Sequence, residues 1–440
     1  MSGTDPLETY LAFERAQADA VHPEPDPHSP FRGADDALQE RIAARIEGLS
    51  AELRALAVDL YEHPEVGFEE HRSVARIAEL LEAHGVAVQR PAFGLATSFV
   101  ATAGDDGGDG PHFAILAEYD ALPGIGHACG HNVIAGIAVG AFLGVRDVVE
   151  RLGGRVSLIG TPAEEGGAGK ELIIRAGGFD DVDAAGMVHP SVGDSVSPIF
   201  GPGTSGVRRV SVTYHGRAGH AALSPYLGLN ALDAVVTAYQ SVAQLRQHIL
   251  PVDRLHGIIT DGGAAPNVVP DRASAVFLIR STEIDTLKVL TDRVVDILEG
   301  AALATGTRAE IDLDFEPPYL PLVQNTELVK RWARHLTARG RTVPVTPAVA
   351  RQGGPSTDMG NVSQFIPAIH PALGLGGSPD VVPHNAEFAE TTVREPAIRA
   401  LVDGAIALGG LAADYLADPG LRAAADAEFQ ARGGRRRWEA

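Results

Sequence analysis

Cysteine is almost missing from this chain. Its 440 residues hold one, Cys129, so no intramolecular disulfide can staple the fold, and a reducing compartment fits. Positive charge is also short, with 36 Lys and Arg against 57 Asp and Glu, a net charge of −21. An acidic surface of that size disfavours nucleic acid and anionic membranes as partners, yet a few local cations can still hold a small anionic substrate. No apolar run approaches the roughly 20 residues a membrane-spanning helix needs; the longest, residues 133–145, reads as a core helix. Residues 1–20 lack a basic segment followed by an apolar one, so no secretory leader is expected, and a soluble cytoplasmic protein is. Aromatic residues are scarce, at 5%.

What the sequence does have is a stretch, residues 112–145, around which the remainder is organised. An apolar run ends in Glu118 and Asp120, a glycine-rich turn delivers Cys129, His131 and Asn132, and an all-apolar segment follows. That order reads as strand, loop and buried helix. Gly136, Gly140 and Gly144 recur every fourth position, leaving one helix face bare enough to lie close against a sheet. Other apolar strands are expected at 97–103, 156–160 and 184–189, and amphipathic helices over 37–62 and 74–84. Strand and helix alternating in this way predict a mostly parallel sheet covered on both faces.

Between residues 206 and 317 the pattern changes to β-α-β-β-α-β, a ferredoxin-like split βαβ unit. The expectation is an α/β protein whose main domain is discontinuous, 36–205 and 318–420, and interrupted by a second, inserted domain, 206–317. The ends, 1–35 and 421–440, are expected to be irregular, and the arginine-rich residues 432–437 to form a solvated tail.

Four separated segments place metal-type ligands just after a predicted strand or in a loop: Asp120 with Cys129 and His131, Glu164 with Glu165, His189, and His384. A lone histidine is usually structural, and adjacent glutamates are usually a solvated pair. Together they favour a site, because neighbouring strands of an open sheet converge at their carboxyl ends on one crevice. Thiolate, imidazole and carboxylate form a zinc-like set large enough for two ions. Neighbouring side chains diverge in a turn, so one of Glu164 and Glu165 can ligate while the other takes a proton from an activated water. A nucleophilic Cys129 with His131 and Asn132 is the rival reading, but it gives no task to Glu164, Glu165, His189 and His384. His112, His127, His215 and His370 are taken as structural, and Gly203, Gly206, Gly353 and Gly354 as hinge or loop residues.

These residues resemble a known family. Glu118-Tyr-Asp120-Ala-Leu-Pro, Cys129-Gly-His131-Asn132, Pro162-Ala-Glu164-Glu165, Met187-Val-His189-Pro190, Gly219-His220 and Pro383-His384-Asn-Ala-Glu387 look like motifs of the metallo-amidohydrolases that include hippuricase, auxin-conjugate hydrolases and p-aminobenzoyl-glutamate hydrolases, relatives of aminoacylase. The strongest resemblance is to the p-aminobenzoyl-glutamate hydrolase and aminoacylase-like dipeptidase branch. It implies a dinuclear centre of divalent ions, zinc first and manganese or cobalt as alternatives, held by Cys129, His131, Glu165, His189 and His384. Glu164 would be the general base, and Asp120 would orient a ligand imidazole. The inserted domain would dimerise, His220 reaching the partner subunit's site to hold the oxyanion and Asn267 contacting the substrate carboxyl or the oxyanion. Two departures stand out: Glu118 where many relatives carry Asp, and Asn132 where hippuricase-like members carry Asp.

The expected function is hydrolysis of the amide bond of an N-acyl or aminoacyl amino acid or small dipeptide by a metal-activated water, in a homodimer. Alternatives are hydrolysis of another C–N bond, an aromatic amine or carbamoyl group, and a non-catalytic small-molecule binding relative.

Overall fold

A computed structural model describes residues 28–439 apart from 106, 107, 109, 195, 198–200, 203, 344–353 and 379. Its main sheet has five strands in the order Phe99–Gly104, Arg155–Gly160, His112–Ala117, Ala184–Gly186, Ala368–Ile369. All neighbours are parallel except the first pair, where Phe99 faces Gly160 in antiparallel register. Every residue of His112–Ala117 is buried, which is why that strand reads as a continuous apolar run without alternation.

The helix His131–Arg146 follows directly from the ligand-bearing loop, with every residue from His131 to Val145 buried. Its glycine face packs against helices, and the expected approach to the sheet is corrected. A Cβ on Gly136 would fall 2.5 Å from Leu401, on Gly140 2.8 Å from Leu53 and on Gly144 2.8 Å from Ile46. The bare stripe lets three helices, Asp36–Gly48, Ser50–Glu62 and Glu395–Ala417, close on a fourth. Among the described residues Glu395–Ala417 alone is long and apolar enough to cross a membrane, and 89% of that stretch is buried inside the fold. The single helix anticipated over 37–62 is broken at Leu49 between two shorter ones.

The chain leaves this layer after Ser205 and builds a second, four-stranded antiparallel sheet, ordered Arg254–Asp261, Arg272–Ser281, Gly206–His215, Arg308–Asp312. Along Gly206–His215 buried and half-buried residues alternate strictly. Val210, Val212 and Tyr214 pack under the helices Ala231–Leu245 and Ile284–Thr305, while the odd-numbered residues form the sheet's other face.

Residues 421–431 are not irregular, while 432–439 have no regular structure, as expected. Leu421, Ala425 and Phe429 recur at i, i+4 and i+8 on the helix Pro419–Ala431 and bury against the main domain. The basic tail beyond it is docked as well. Arg436 N–H donates to Gln364 O at 2.8 Å, Arg435 and Arg437 lie over the Phe365 ring, and Trp438 packs against the inserted domain's core beneath Arg208 and Lys288. Cation–π contacts with a nearby aromatic hold what charge alone would leave in solvent. At the other end residues 28–35 have no regular structure, yet Ala34 N–H donates to Asp414 Oδ1; residues 1–27, Gly203 and Gly353 lie outside the described residues.

Candidate metal centre

Glu118 and Asp120 follow the strand His112–Ala117, Glu164 and Glu165 follow Arg155–Gly160, and His189 follows Ala184–Gly186. Parallel strands therefore deliver three segments to one edge. His384 arrives from a loop before Ala386–Thr391; its backbone N–H donates to Ala128 O at 2.8 Å, and its φ is +67°. Cys129, His131 and His189 form one group of donor atoms all within 4.8 Å of one another, and Cys129, Glu165 and His384 form a second. The two groups share Cys129.

Hydrogen bonding fixes what each imidazole presents. Asp120 Oδ1 accepts from His131 Nδ1 at 2.9 Å, and Pro190 O accepts from His189 Nδ1 at 2.7 Å. Both acceptors take the Nδ1 proton, so Nε2 is the nitrogen each ring can turn to a cation. His189 Nε2 lies 3.5 Å from Cys129 Sγ. His131 Nε2 lies 3.5 Å from Glu118 Oε2 and 3.8 Å from both Glu164 Oε2 and Glu165 Oε1. His131 Nε2, Glu118 Oε2 and Glu165 Oε1 are buried without a hydrogen-bond partner among the described residues. Lone pairs orphaned this way fit divalent cations, because leaving them unsatisfied is costly. The sulfur, nitrogen and oxygen donor set suits zinc and its borderline neighbours.

Electrostatics argue against a free thiolate. Burial pushes the Cys129 thiol up to about 12 even though the nearby His131 favours ionisation, so this pocket does not prepare a nucleophile unless a cation sits beside the sulfur. Burial also lowers His189 and keeps it neutral. Burial, and next the Glu118 carboxylate, raise Glu164 well above the usual carboxylate range. Burial opposes charge on His131, but Asp120 and Glu118 outweigh it and hold that ring's affinity for a proton high.

The turn carrying the two glutamates is pinned from outside. Ala163 and Ala168 sit at φ +56° and +53°, a backbone region that costs an L-residue free energy and collects at functional sites. Glu70 Oε1 accepts from Ala163 N–H at 2.8 Å, and Tyr319 Oη donates to Glu164 O at 2.7 Å. Glu165 N–H donates to Asp120 Oδ2 at 2.9 Å, so Asp120 grips both ligand loops.

Of the residues singled out in the sequence, Asp120, Cys129, His131, Glu164, Glu165, His189 and His384 meet here. His220 and Asn267 do not belong to these groups. They sit together on the inserted domain, where Ala221 N–H donates to Asn267 O, both exposed. His220 Nδ1 accepts from Ala222 and Leu223 N–H, so the neutral ring carries its proton on Nε2.

The sequence reading missed four residues. Lys170 and Asp358 are fully buried next to Glu118. His370, taken as structural, lies buried with its ring centroid 5.3 Å from that of His189, and burial followed by that neighbour pushes it down to about 3. Arg280, on the half-exposed face of the second sheet, donates to Ser356 Oγ at 2.7 Å and pairs with no carboxylate among the described residues. For Lys170 the one available signal was its place after Gly166, Gly167 and Gly169, which follow Glu165.

A family model described as a peptidase dimerisation domain matches residues 203–306. The Xaa-Arg dipeptidase of Mus musculus is 36% identical over 404 residues, covering 89% of this chain and 92% of that protein. A p-aminobenzoyl-glutamate hydrolase subunit of Escherichia coli (strain K12) is 38% identical over 279 residues, 59% of this chain and 57% of that protein. Among solved structures, a dinuclear metal binding peptidase of the M20 family from Bacillus subtilis has a TM-score of 0.63 at 22% identity, covering 84% of this chain and 99% of that one. The fold is shared, and so is the insertion. The chain belongs to the M20 family of metal-dependent peptidases and amidohydrolases, and it is a hydrolase of amide bonds.

Proposed function

We propose that the chain hydrolyses the amide bond of a dipeptide or an N-acyl amino acid, using two divalent ions held in the Cys129-His131-His189 and Cys129-Glu165-His384 groups. The observation that carries this reading is the pair of donor groups sharing Cys129, with Glu164 beside them. Zinc best suits the thiolate, with manganese and cobalt as alternatives. Ions bound there supply Lewis acidity, which acidifies water and polarises a scissile carbonyl.

The chain's own residues do the rest. Asp120 fixes the tautomer of His131. Glu164 takes a proton from the attacking water and returns it to the leaving nitrogen as the C–N bond breaks. His220 Nε2, free on the lid, donates to the developing oxyanion, with Asn267 beside it. Their separation from the metal groups supports their acting on the partner subunit's site in a homodimer. Exposed apolar side chains on the inserted domain support that assembly: Leu223 and Tyr226 are 79% and 80% exposed, and Ile258 and Ile259 lie on the edge strand Arg254–Asp261. Arg280, a cation without a carboxylate partner, holds Ser356 two residues before Asp358 and supports a substrate that carries a carboxylate. A reducing cytoplasmic setting suits a single ligand thiol.

The test is release of amine from a panel of dipeptides, including Xaa-Arg peptides, N-acyl amino acids and N-carbamoyl amino acids, before and after a chelator, with elemental analysis of the protein. Turnover of amides that is lost on chelation and restored by zinc, manganese or cobalt is expected. No turnover of any member with metal restored sinks the reading.

A further inference from the structure

Behind these donor groups, and behind a further one of His131, Glu164 and Glu165, lies a cluster made only of acids. Glu118, Glu164 and Asp358 each offer an oxygen, all within 4.8 Å of one another. Their side chains are 0%, 8% and 0% exposed. Three buried carboxylates on oxygen ligands alone form a hard donor set of the kind that binds magnesium or manganese. Here another cation is already in place. Lys170, itself 0% exposed, donates from Nζ to Glu118 Oε1 at 2.5 Å and to Asp358 Oδ1 at 2.6 Å.

The lysine's root is fixed as firmly as its tip. Its backbone N–H donates to Asp358 Oδ2 at 2.9 Å. At Gly169, immediately before it, an added Cβ would fall 1.8 Å from Pro162 O, so only glycine lets the backbone fold back beneath the glutamate turn. The ammonium is thus delivered among the acids by the same turn that carries Glu164. Glu118 is shared in the other direction, since its second oxygen, without a hydrogen-bond partner among the described residues, faces His131 Nε2 at 3.5 Å.

We propose that Lys170 is a tethered cation occupying the place of a third divalent ion among Glu118, Glu164 and Asp358, and that by filling it the lysine keeps Glu164 unligated beside the metal centre. This rests on the reading of Glu164 as the base. An ammonium has one charge, no vacant coordination position and a fixed stem, so it balances the acids while leaving the Glu164 oxygens free to exchange a proton. A divalent ion in the same place would ligate Glu164 and withdraw it from that exchange. Lys170 is a positioning residue, acting through Glu118, Asp358 and Glu164.

The experiment counts ions. Wild-type protein, Lys170→Met and the double variant Lys170→Met/Asp358→Asn are loaded with manganese, passed through a desalting column and analysed for metal per chain, alongside kcat and KM. Lys170→Met is expected to hold one more ion per chain than wild type and to lose at least about tenfold in kcat, with KM within roughly threefold, the signature of a disabled base with intact binding. The double variant, which removes one acid together with the lysine, is expected to return to the wild-type ion count. A Lys170→Met protein holding no more manganese than wild type overturns the proposal. Should that variant fail to fold, anomalous diffraction from wild-type crystals soaked in manganese decides: a peak among Glu118, Glu164 and Asp358 overturns it, and peaks confined to the Cys129 groups uphold it. Failure of the amidohydrolase reading looks different, since wild-type protein itself would then bind no metal or turn over no amide.

Discussion

His131 Nδ1 donates to Asp120 Oδ1 at 2.9 Å in a fully buried pair, and the other Asp120 oxygen accepts from the Glu165 N–H. One carboxylate therefore orients an imidazole and anchors the turn holding Glu165. Asp120→Asn preserves the shape but replaces one acceptor with an NH2 that cannot accept from His131, which favours the tautomer whose Nε2 carries the proton. The expected outcome is a metal affinity weakened about 10- to 100-fold, with the fold retained. Competition against a chromophoric chelator measures it, and an unchanged affinity would separate Asp120 from the metal centre.

Glu164→Gln removes the proposed proton carrier without removing a member of either Cys129-sharing group. Bound metal should stay at the wild-type level while kcat falls by roughly 10²- to 10⁴-fold. If metal content falls instead, Glu164 is a ligand, and the roles of Glu164 and Glu165 have to be exchanged.

His220 makes its case through assembly. His220→Ala should bind metal normally and lose about 10²- to 10³-fold in turnover, the usual cost of one oxyanion donor. Mixed with Glu164→Gln and allowed to exchange subunits, it should regain about a quarter of wild-type activity, because each mixed dimer restores one complete site when the histidine acts across a two-fold interface. Mixtures as inactive as their parents would confine His220 to its own subunit.

Much of this site is legible in the sequence because it is built from local signals. Cys129 closes a loop and His131 opens the apolar helix that follows it, just past an unmistakable strand, and Glu164 and Glu165 sit immediately past another strand, so the rule that strand ends converge brings them together. Lys170 and Asp358 are 188 residues apart, and nothing periodic announces that a lysine will be buried rather than solvated. His370 meets His189 only because Ile369 pairs in parallel register with Gly186, a pairing of short strands that no local pattern specifies. The glycine stripe is legible as a close approach but its partner is not, since a bare helix face fits a sheet or another helix equally well. The docked tail is hidden because a segment dense in arginine looks solvated until Phe365 and Trp438 are there to take it.

Glu70 yields a prediction in pH. It is wholly buried, its carboxylate accepts from Ala163 N–H in the left-handed turn before Glu164, and burial first, with Asp120 adding to it, raises its pKa from 4.5 to about 7. A carboxyl group raised in the folded state favours folding while neutral. That contribution is complete below 4.5, the unfolded value, and is lost as pH rises through about 7. Glu70→Gln keeps an acceptor for Ala163 but cannot ionise, so its stability relative to wild type should climb between pH 4.5 and 8, by on the order of 3 kcal/mol. Urea unfolding of both proteins across that range, at equal metal loading, measures the difference. Parallel curves would mean that Glu70 is ionised throughout and that the turn carrying Glu164 and Glu165 is held by a charged acceptor.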